Sequence, residues 1–497
     1  MEDSLSRFAE LIRAGFKTDQ HDESDDERPS AKATLEALFG NRYHRRHLGK
    51  NSPIVRDAMV LGSSRGESDG VPFAALLHPD NPGSGPYGGA SFVWFPSYEG
   101  GSLVCLCVGT RGLAPDEGIL SRPGHRRRVG ALRKYLAGLG VEVWSKPDPA
   151  SLSMTIPRTV VARHAKYQTA LKRYEHELYC VAEVKAEDSP EKARHVVQAL
   201  VDLYSYERGW DVLAQFVDER DGLISTLRQD VFDVVTSDNV RDRLLARHFV
   251  ILQGPPGTGK TRLAKQVLSD HFGGSGTIVQ FHPAVTYEDF VVGISPDVGG
   301  AEQLRFRVRP GWLVEACAQA HSSPYLLVVD EVNRADLGKV LGEAIYLFEP
   351  DEVGTRQIRL SHVVQGGQEF VLPENLYVLG TMNTADRTIA SMDLAIRRRF
   401  TFMTMMPDRN PVVEQGIALA TALFDRVCDV FFEHALSDAM TLMPGHSYFL
   451  ARDEKELRCR LKYELLPLLD EYLVEGYLGY AAGELHAVRD EIENAVR

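Results

Sequence analysis

The chain has 497 residues, more than one hydrophobic core usually supports, so two or three domains are expected. Its 44% hydrophobic and 25% charged residues match an ordinary soluble globular protein, and no apolar run reaches bilayer-spanning length, which points to the cytoplasm and away from a membrane. The formal net charge of -13 excludes a uniformly basic, nucleic-acid-coating protein but leaves room for a local basic groove.

Residues 1–50 begin with MEDSLSRFAELIRAGFK, an amphipathic, charged stretch without the apolar core of a signal peptide. The acidic run TDQHDESDDERPS, residues 18–30, reads as a solvated connector. Residues 51–210 predict an α+β domain. Short β-prone runs (PFAALLH, SFVWFPSY, SLVCLCVG) alternate with glycine and proline turns, and helical spacing over 158–174 and 190–206 flanks a strand, ELYCVAEVK. A charged helical linker, 211–240, leads into a second half whose apolar strands alternate with helical segments, the signature of a parallel sheet covered by helices. Cysteines at 105, 107, 180, 317, 428 and 459 form neither metal-ligand pairs nor a regular framework, so reduced core thiols are expected and zinc is not.

At residues 251–261 the chain reads ILQGPPGTGKT, a strand running into a glycine-rich turn that ends in lysine and threonine. This is a phosphate-binding loop: Gly254, Pro255, Pro256, Gly257, Thr258 and Gly259 line the nucleotide, and the three glycines let the backbone wrap a polyphosphate closely enough for N–H groups and the helix N-terminus to point at it. Lys260 reaches the β and γ phosphates, Thr261 offers its hydroxyl to Mg²⁺, and Arg262 starts the helix whose dipole faces the nucleotide.

Farther on, PYLLVVDE, residues 324–331, is a buried strand closing on two acids. Asp330 is expected to hold Mg²⁺ and Glu331 to polarise the attacking water. A third strand, NLYVLG, ends in TMNTADR, which sets the amide of Asn383 beside the γ phosphate, where it can hydrogen-bond both a phosphate oxygen and the water. MDLAIRRRF then carries Arg397, Arg398 and Arg399. A solvated or nucleic-acid-facing run is the ordinary reading of such arginines, but their place after the third strand favours a finger that stabilises charge on the transferring phosphoryl group.

The ordered set GPPGTGKT, LLVVDEVNRAD and GTMNTADRTIASMDLAIRRRF resembles the AAA+ class, and within it the motor subunit of McrBC-type restriction systems. QFHPAVTYEDFVVGISP (280–296), MPGHSYF (443–449) and LKYELLPLLDEYL (461–473) are similar to stretches around that motor core. The resemblance covers roughly the C-terminal half. It implies an α/β, P-loop NTPase module with a parallel sheet over 241–405 and a C-terminal helical lid over 406–497. It further implies that Asn383 and Asp386 support hydrolysis, and that Arg398 or Arg399 acts across a subunit boundary in a ring, a hexamer by analogy. ATP is the class default and GTP the alternative, since nothing in GPPGTGKT selects the base. A separate endonuclease subunit would be the partner.

The same resemblance assigns recognition of marked DNA to the N-terminal half. GHRRRVGALRKY (124–135) could track phosphates, as could the cluster Arg158, Arg163, His164, Lys166, Lys172 and Arg173 with Tyr167 and Tyr174; Trp94, Tyr98 or Trp144 could stack a flipped base, although core is the ordinary place for each. Glu183-Val184-Lys185 has the acid-x-lysine form of a metal nuclease, a form that a solvated strand end also presents. Such a site needs an upstream acid on a paired strand, and the expected helix 163–177 separates it from Asp148. Two other readings are a protein-remodelling chaperone of the MoxR kind, which shares DEVNRA, and a nucleotide-switched scaffold without turnover. MNTADR and GHSYF favour the restriction motor over the first, and the full catalytic set opposes the second.

Overall fold

The computed structural model describes residues 4–15, 31–44, 54–57, 74–77, 90–96, 100–107, 119, 122–145, 162, 178–231, 234–297, 305–364, 367–385 and 394–497. The chain divides into two compact units, Met1–Val231 with Phe432–His434, and Phe232–Phe431 with Ala435–Arg497.

In the first unit the β-prone runs become strands β1 Ile54–Asp57, β2 Ala74–Leu77, β3 Ala90–Pro96, β4 Ser102–Cys107, β5 Glu142–Ser145 and β6 Leu178–Val184. They form an antiparallel sheet in the order β1-β2-β3-β4-β6-β5. Helix Pro190–Glu207 starts where Ser189 accepts a hydrogen bond from the Lys192 N–H and Pro190 takes the first turn, a position where its missing N–H costs nothing. Its apolar face buries Val196, Val197, Leu200 and Leu203 in one core with Phe8 and Ile12 of helix Ser4–Ala14 and with Phe92 and Val104 of the sheet. Each such side chain is worth roughly 1.5–3 kcal/mol when fully buried.

That core also holds charge. Arg42 and Asp202 are almost fully buried and form a two-pronged pair, Nε to Oδ1 at 2.8 Å and Nη2 to Oδ2 at 2.6 Å, with the Tyr43 hydroxyl donating to Oδ1 at 3.0 Å.

In the second unit, β7 Phe249–Gly254, β8 Gly276–Gln280, β11 Tyr325–Asp330, β14 Leu376–Asn383 and β15 Thr401–Thr404 form a parallel sheet in the order β15-β7-β14-β11-β8. Both faces are covered: Phe249 and Ile251 enter one core cluster, and the alternating Val250 and Leu252 enter another. Hence the three central strands β7, β14 and β11 read as largely apolar runs, while the edge strands β8 and β15 are more exposed. Two antiparallel hairpins, β9 Val292–Asp297 with β10 Arg305–Pro310 and β12 Gln357–Val364 with β13 Gly367–Val371, interrupt the simple alternation of strand and helix expected there. Strand β10 is exposed along its whole length.

After β15 the polypeptide is helical: Asn410–Glu414, Ala418–His434, Glu454–Arg460, Leu466–Val474 and Ala482–Val496 share a separate core containing Phe424, Val427, Phe449, Leu461 and Val488. Among the described residues, no helix is long and apolar enough to cross a membrane. The thiols of Cys105, Cys107, Cys180 and Cys317 are buried, whereas Cys459 is exposed.

Candidate functional site

Strand β7 delivers the chain into the glycine loop, and helix Lys260–Phe272 begins at Lys260. Gly254 meets a neighbour so closely that a Cβ there would lie 2.0 Å from the Met405 carbonyl oxygen, and Gly259 caps the helix at φ 81, in the left-handed region. Lys260 is buried. Its ammonium donates to the carbonyl oxygens of Gly254 and Pro255 at 3.0 and 2.7 Å, and burial pushes its pKa down to about 8 against the opposing pull of Glu331 and Asp330. The hydroxyl of Thr258 donates to Pro255 O at 2.9 Å, whereas Arg262 points to solvent.

Strand order decides what meets the loop. Because β14 lies between β7 and β11, the ends of three strands converge: Asn383 pairs in register with Gly254, and Val329 with Gly380. The Thr261 hydroxyl donates to Asp330 Oδ1 at 2.7 Å. Glu331 accepts from Asn383 Nδ2 at 2.5 Å through Oε1, and Arg334 Nε stands 3.6 Å from Oε2. Glu331 itself has φ 57 and ψ 49, a left-handed conformation that costs a side-chain-bearing residue about 1–2 kcal/mol and aims its carboxylate back over the strand ends.

Two residues absent from the expected set complete the cluster. Thr381 donates to Asp330 Oδ1 at 2.5 Å and accepts the Glu331 N–H at 3.1 Å, so one hydroxyl joins both acids. Asn333 donates from Nδ2 to the Asn383 carbonyl at 3.0 Å. The signal for Thr381 was present in TMNTADR: it lies two residues before Asn383 on one strand, and therefore on the same face.

Within the single chain the three arginines each have a neighbour of their own. Arg397 lies over the Phe402 ring at 5.2 Å, while Arg398 and Arg399 reach towards Glu349 at 3.8 and 3.9 Å. Their exposure differs sharply: the Arg398 side chain is 67% exposed and that of Arg399 only 11%, which leaves Arg398 as the one of this pair open to another molecule. Asp386 lies outside the described residues.

In the first unit, Trp94 is buried and its ring N–H donates to Ser102 Oγ at 2.8 Å, which removes it from the base-stacking candidates. Trp144 is half-buried, and Tyr98 lies outside the described residues, as do Arg158, Arg163, His164, Lys166, Tyr167, Lys172, Arg173 and Tyr174. The run 124–135 splits across helix Pro123–Gly138. Arg126, Arg133 and Lys134 face solvent, but Arg128 is buried, with Nε 3.1 Å from Glu207 Oε1, and cannot track phosphates. Glu207 also meets His125 Nδ1 at 2.6 Å. Burial would raise its carboxyl pKa, yet His125, Arg128 and Arg208 together hold it at about 2.

Glu183 is buried, and its strand partner is Glu142 on β5; Asp148 lies outside the described residues. Lys185 Nζ donates to Glu142 Oε1 at 3.1 Å. Among the described residues, no group of three His, Cys, Asp or Glu side chains is placed to hold a metal ion.

Residues 249–400 match the AAA domain, dynein-related subfamily. The chain is 33% identical over 266 residues to the type IV methyl-directed restriction enzyme EcoKMcrB subunit of Escherichia coli, a match covering 48% of this chain and 57% of that protein. It is 25% identical over 189 residues to the type II restriction enzyme BsuMI component YdiS of Bacillus subtilis, covering 31% and 55% respectively. The chain thus spans a little over half the length of these curated relatives. Among solved structures, a Thermotoga maritima RuvB variant is 16% identical with a TM-score of 0.22, covering 52% of this chain and 71% of that one.

Proposed function

We propose that this McrB-like AAA+ protein hydrolyses a nucleoside triphosphate, in a ring of like subunits, as the motor of a DNA restriction or phage-defence system in the cytoplasm. Hydrolysis would activate a separate endonuclease subunit, and the N-terminal half would read DNA. The observation that carries this reading is the convergence of Lys260, Thr261, Asp330, Glu331 and Asn383 at three adjacent strand ends, together with restriction-enzyme relatives that match 48% and 31% of the chain.

The chemistry follows from the residues. The loop amides and Lys260 bind and orient the phosphates; hydrogen bonding to anionic oxygens gives the strong, charge-assisted class of bond. Glu331 takes the proton of the attacking water, and Asn383, bonded to Glu331 Oε1, holds that carboxylate in line and senses the γ phosphate. Thr261 and Asp330 offer only oxygen donors, 2.7 Å apart, which suits a hard cation such as Mg²⁺. When bound, the cation would neutralise charge on the β and γ phosphate oxygens. Arg398, exposed on its helix end, is the candidate finger for a neighbouring subunit.

The test is hydrolysis of ATP and of GTP by the purified chain, with and without double-stranded DNA and the product of any adjacent nuclease gene. Turnover of one nucleotide, enhanced by the nuclease subunit, is expected. No turnover under any of these conditions would overturn the proposal.

A further inference from the structure

The segment Gly445–Ser447 belongs to the helical region after β15, yet it lies against the glycine loop, nearly two hundred residues upstream. The Gly445 N–H donates to Pro256 O and the Ser447 N–H to Gly257 O, both at 3.1 Å. This alternation makes a two-rung ladder between the segments. Contact is so close that a Cβ on Gly445 would fall 2.1 Å from the Gly257 carbonyl carbon and 2.5 Å from Pro256 O, atoms of the main chain that no rotamer change can move. The Gly445 backbone has φ -67, open to any residue, so only this approach demands glycine. Reciprocally, a Cβ on Gly257 would lie 2.4 Å from Ser447 Oγ.

His446 anchors the ladder from the other side. Its Nδ1 accepts the Asp408 N–H at 3.1 Å, and Asp408 Oδ1 in turn accepts the Asn410 N–H at 2.9 Å, at the start of the first lid helix. That bond places the ring proton of the neutral imidazole on Nε2, which lies 3.6 Å from where a Gly259 Cβ would stand.

A trans peptide is planar, with its C=O and the following N–H pointing in opposite directions. Carbonyls of Pro256 and Gly257 held outward by the lid therefore turn the N–H groups of Gly257 and Thr258 inward, to the side where a phosphate binds. The carbonyls of Gly254 and Pro255 accept from the Thr384 N–H at 3.0 Å and the Thr258 hydroxyl at 2.9 Å, so four successive peptide planes have fixed partners, two of them from the lid.

We infer that the lid segment Gly445–Ser447 is a strap that presets two phosphate-binding amides, with Gly445 and His446 as positioning residues for nucleotide binding and turnover. This deepens the nucleotide reading above and rests on it.

The test measures KM and kcat for hydrolysis, and equilibrium binding of a ribose-labelled fluorescent ATP and GTP, on the full chain. Gly445→Ala should raise both KM and the dissociation constant by about tenfold or more, since bonds to a charged group are worth about 1.5–3 kcal/mol each. His446→Ala should raise KM several-fold. His446→Asn, whose amide oxygen can still accept the Asp408 N–H, should restore most of the loss; a residue needed only for packing would not be rescued this way. Parent-like KM and binding in Gly445→Ala overturns the strap. If circular dichroism shows Gly445→Ala unfolded, the histidine pair decides: His446→Ala with parent KM, or His446→Asn no better than His446→Ala, overturns it. A parent chain that binds neither nucleotide overturns the underlying reading and this inference together.

Discussion

Replacing Glu331 separates chemistry from binding and strain from function. Glu331→Gln keeps the side-chain length and an oxygen that accepts from Asn383 Nδ2, so the cluster of Asp330, Thr381 and Asn383 should stay assembled while the base is lost. A positioned general base contributes about 10²–10⁴ in rate, equivalent to roughly 3–5 kcal/mol of barrier. Phosphate release at saturating Mg²⁺–nucleotide should fall by that factor, with nucleotide retained on the protein. Glu331→Gly abolishes the same base but relieves the backbone at φ 57. The left-handed conformation costs about 1–2 kcal/mol and glycine forfeits roughly 0.5–1 kcal/mol in chain entropy, so a net gain of up to about 1.5 kcal/mol is expected. In a domain of this size each kcal/mol of gain raises the melting temperature by roughly 2–4 °C. Steady-state hydrolysis and thermal unfolding of both variants are the assays. Turnover of Glu331→Gln within about twofold of the parent would refute the assignment of the base, and a Glu331→Gly variant that melts below the parent would refute the strain argument.

Thr381→Val keeps volume but removes the hydroxyl joining Asp330 to the Glu331 N–H; hydrolysis should drop and stability fall by roughly 1–3 kcal/mol, measured by phosphate release and denaturant unfolding. In the first unit, Asp202→Ala leaves the buried Arg42 guanidinium without its two-pronged partner and should cost about 3–5 kcal/mol in urea unfolding; a loss below about 1 kcal/mol would show that the pair is not a buried charge couple. Glu207, held at about 2 against an ordinary value of 4.5, adds stability that is fully present above 4.5 and disappears as pH falls from there to about 2. Glu207→Gln should therefore be less stable than the parent at neutral pH by roughly 3 kcal/mol, and the gap should close across that acid window; a gap independent of pH would refute the linkage.

Local chemistry was legible without coordinates. Strand, glycine turn and helix are contiguous at 249–272, and DE at the end of an apolar run marks a strand terminus, so Lys260, Thr261, Asp330 and Glu331 could each be given a role from their neighbours in the chain. Asn383 followed for the same reason. Long-range choices were not legible in this way. The hydrogen bonds of Thr381 reach residues fifty positions away in the chain, and three adjacent arginines carry the same local pattern, although in the folded chain the Arg399 side chain is only 11% exposed and that of Arg398 67%. Likewise, basic residues 126–128 look alike in sequence, but helix periodicity turns Arg128 inward onto Glu207.

Sequence by itself determined that a glycine-rich loop, a pair of acids and an asparagine amide stand at the ends of apolar strands, because each motif needs only the residues beside it to take its local shape. Tertiary structure alone decided that β14 inserts between β7 and β11, bringing those ends within hydrogen-bond reach, and that Gly445–Ser447 closes on Pro256 and Gly257. Both depend on the burial of sheet faces and on main-chain hydrogen bonds between segments far apart in the chain, and neither leaves a pattern in the residues on either side.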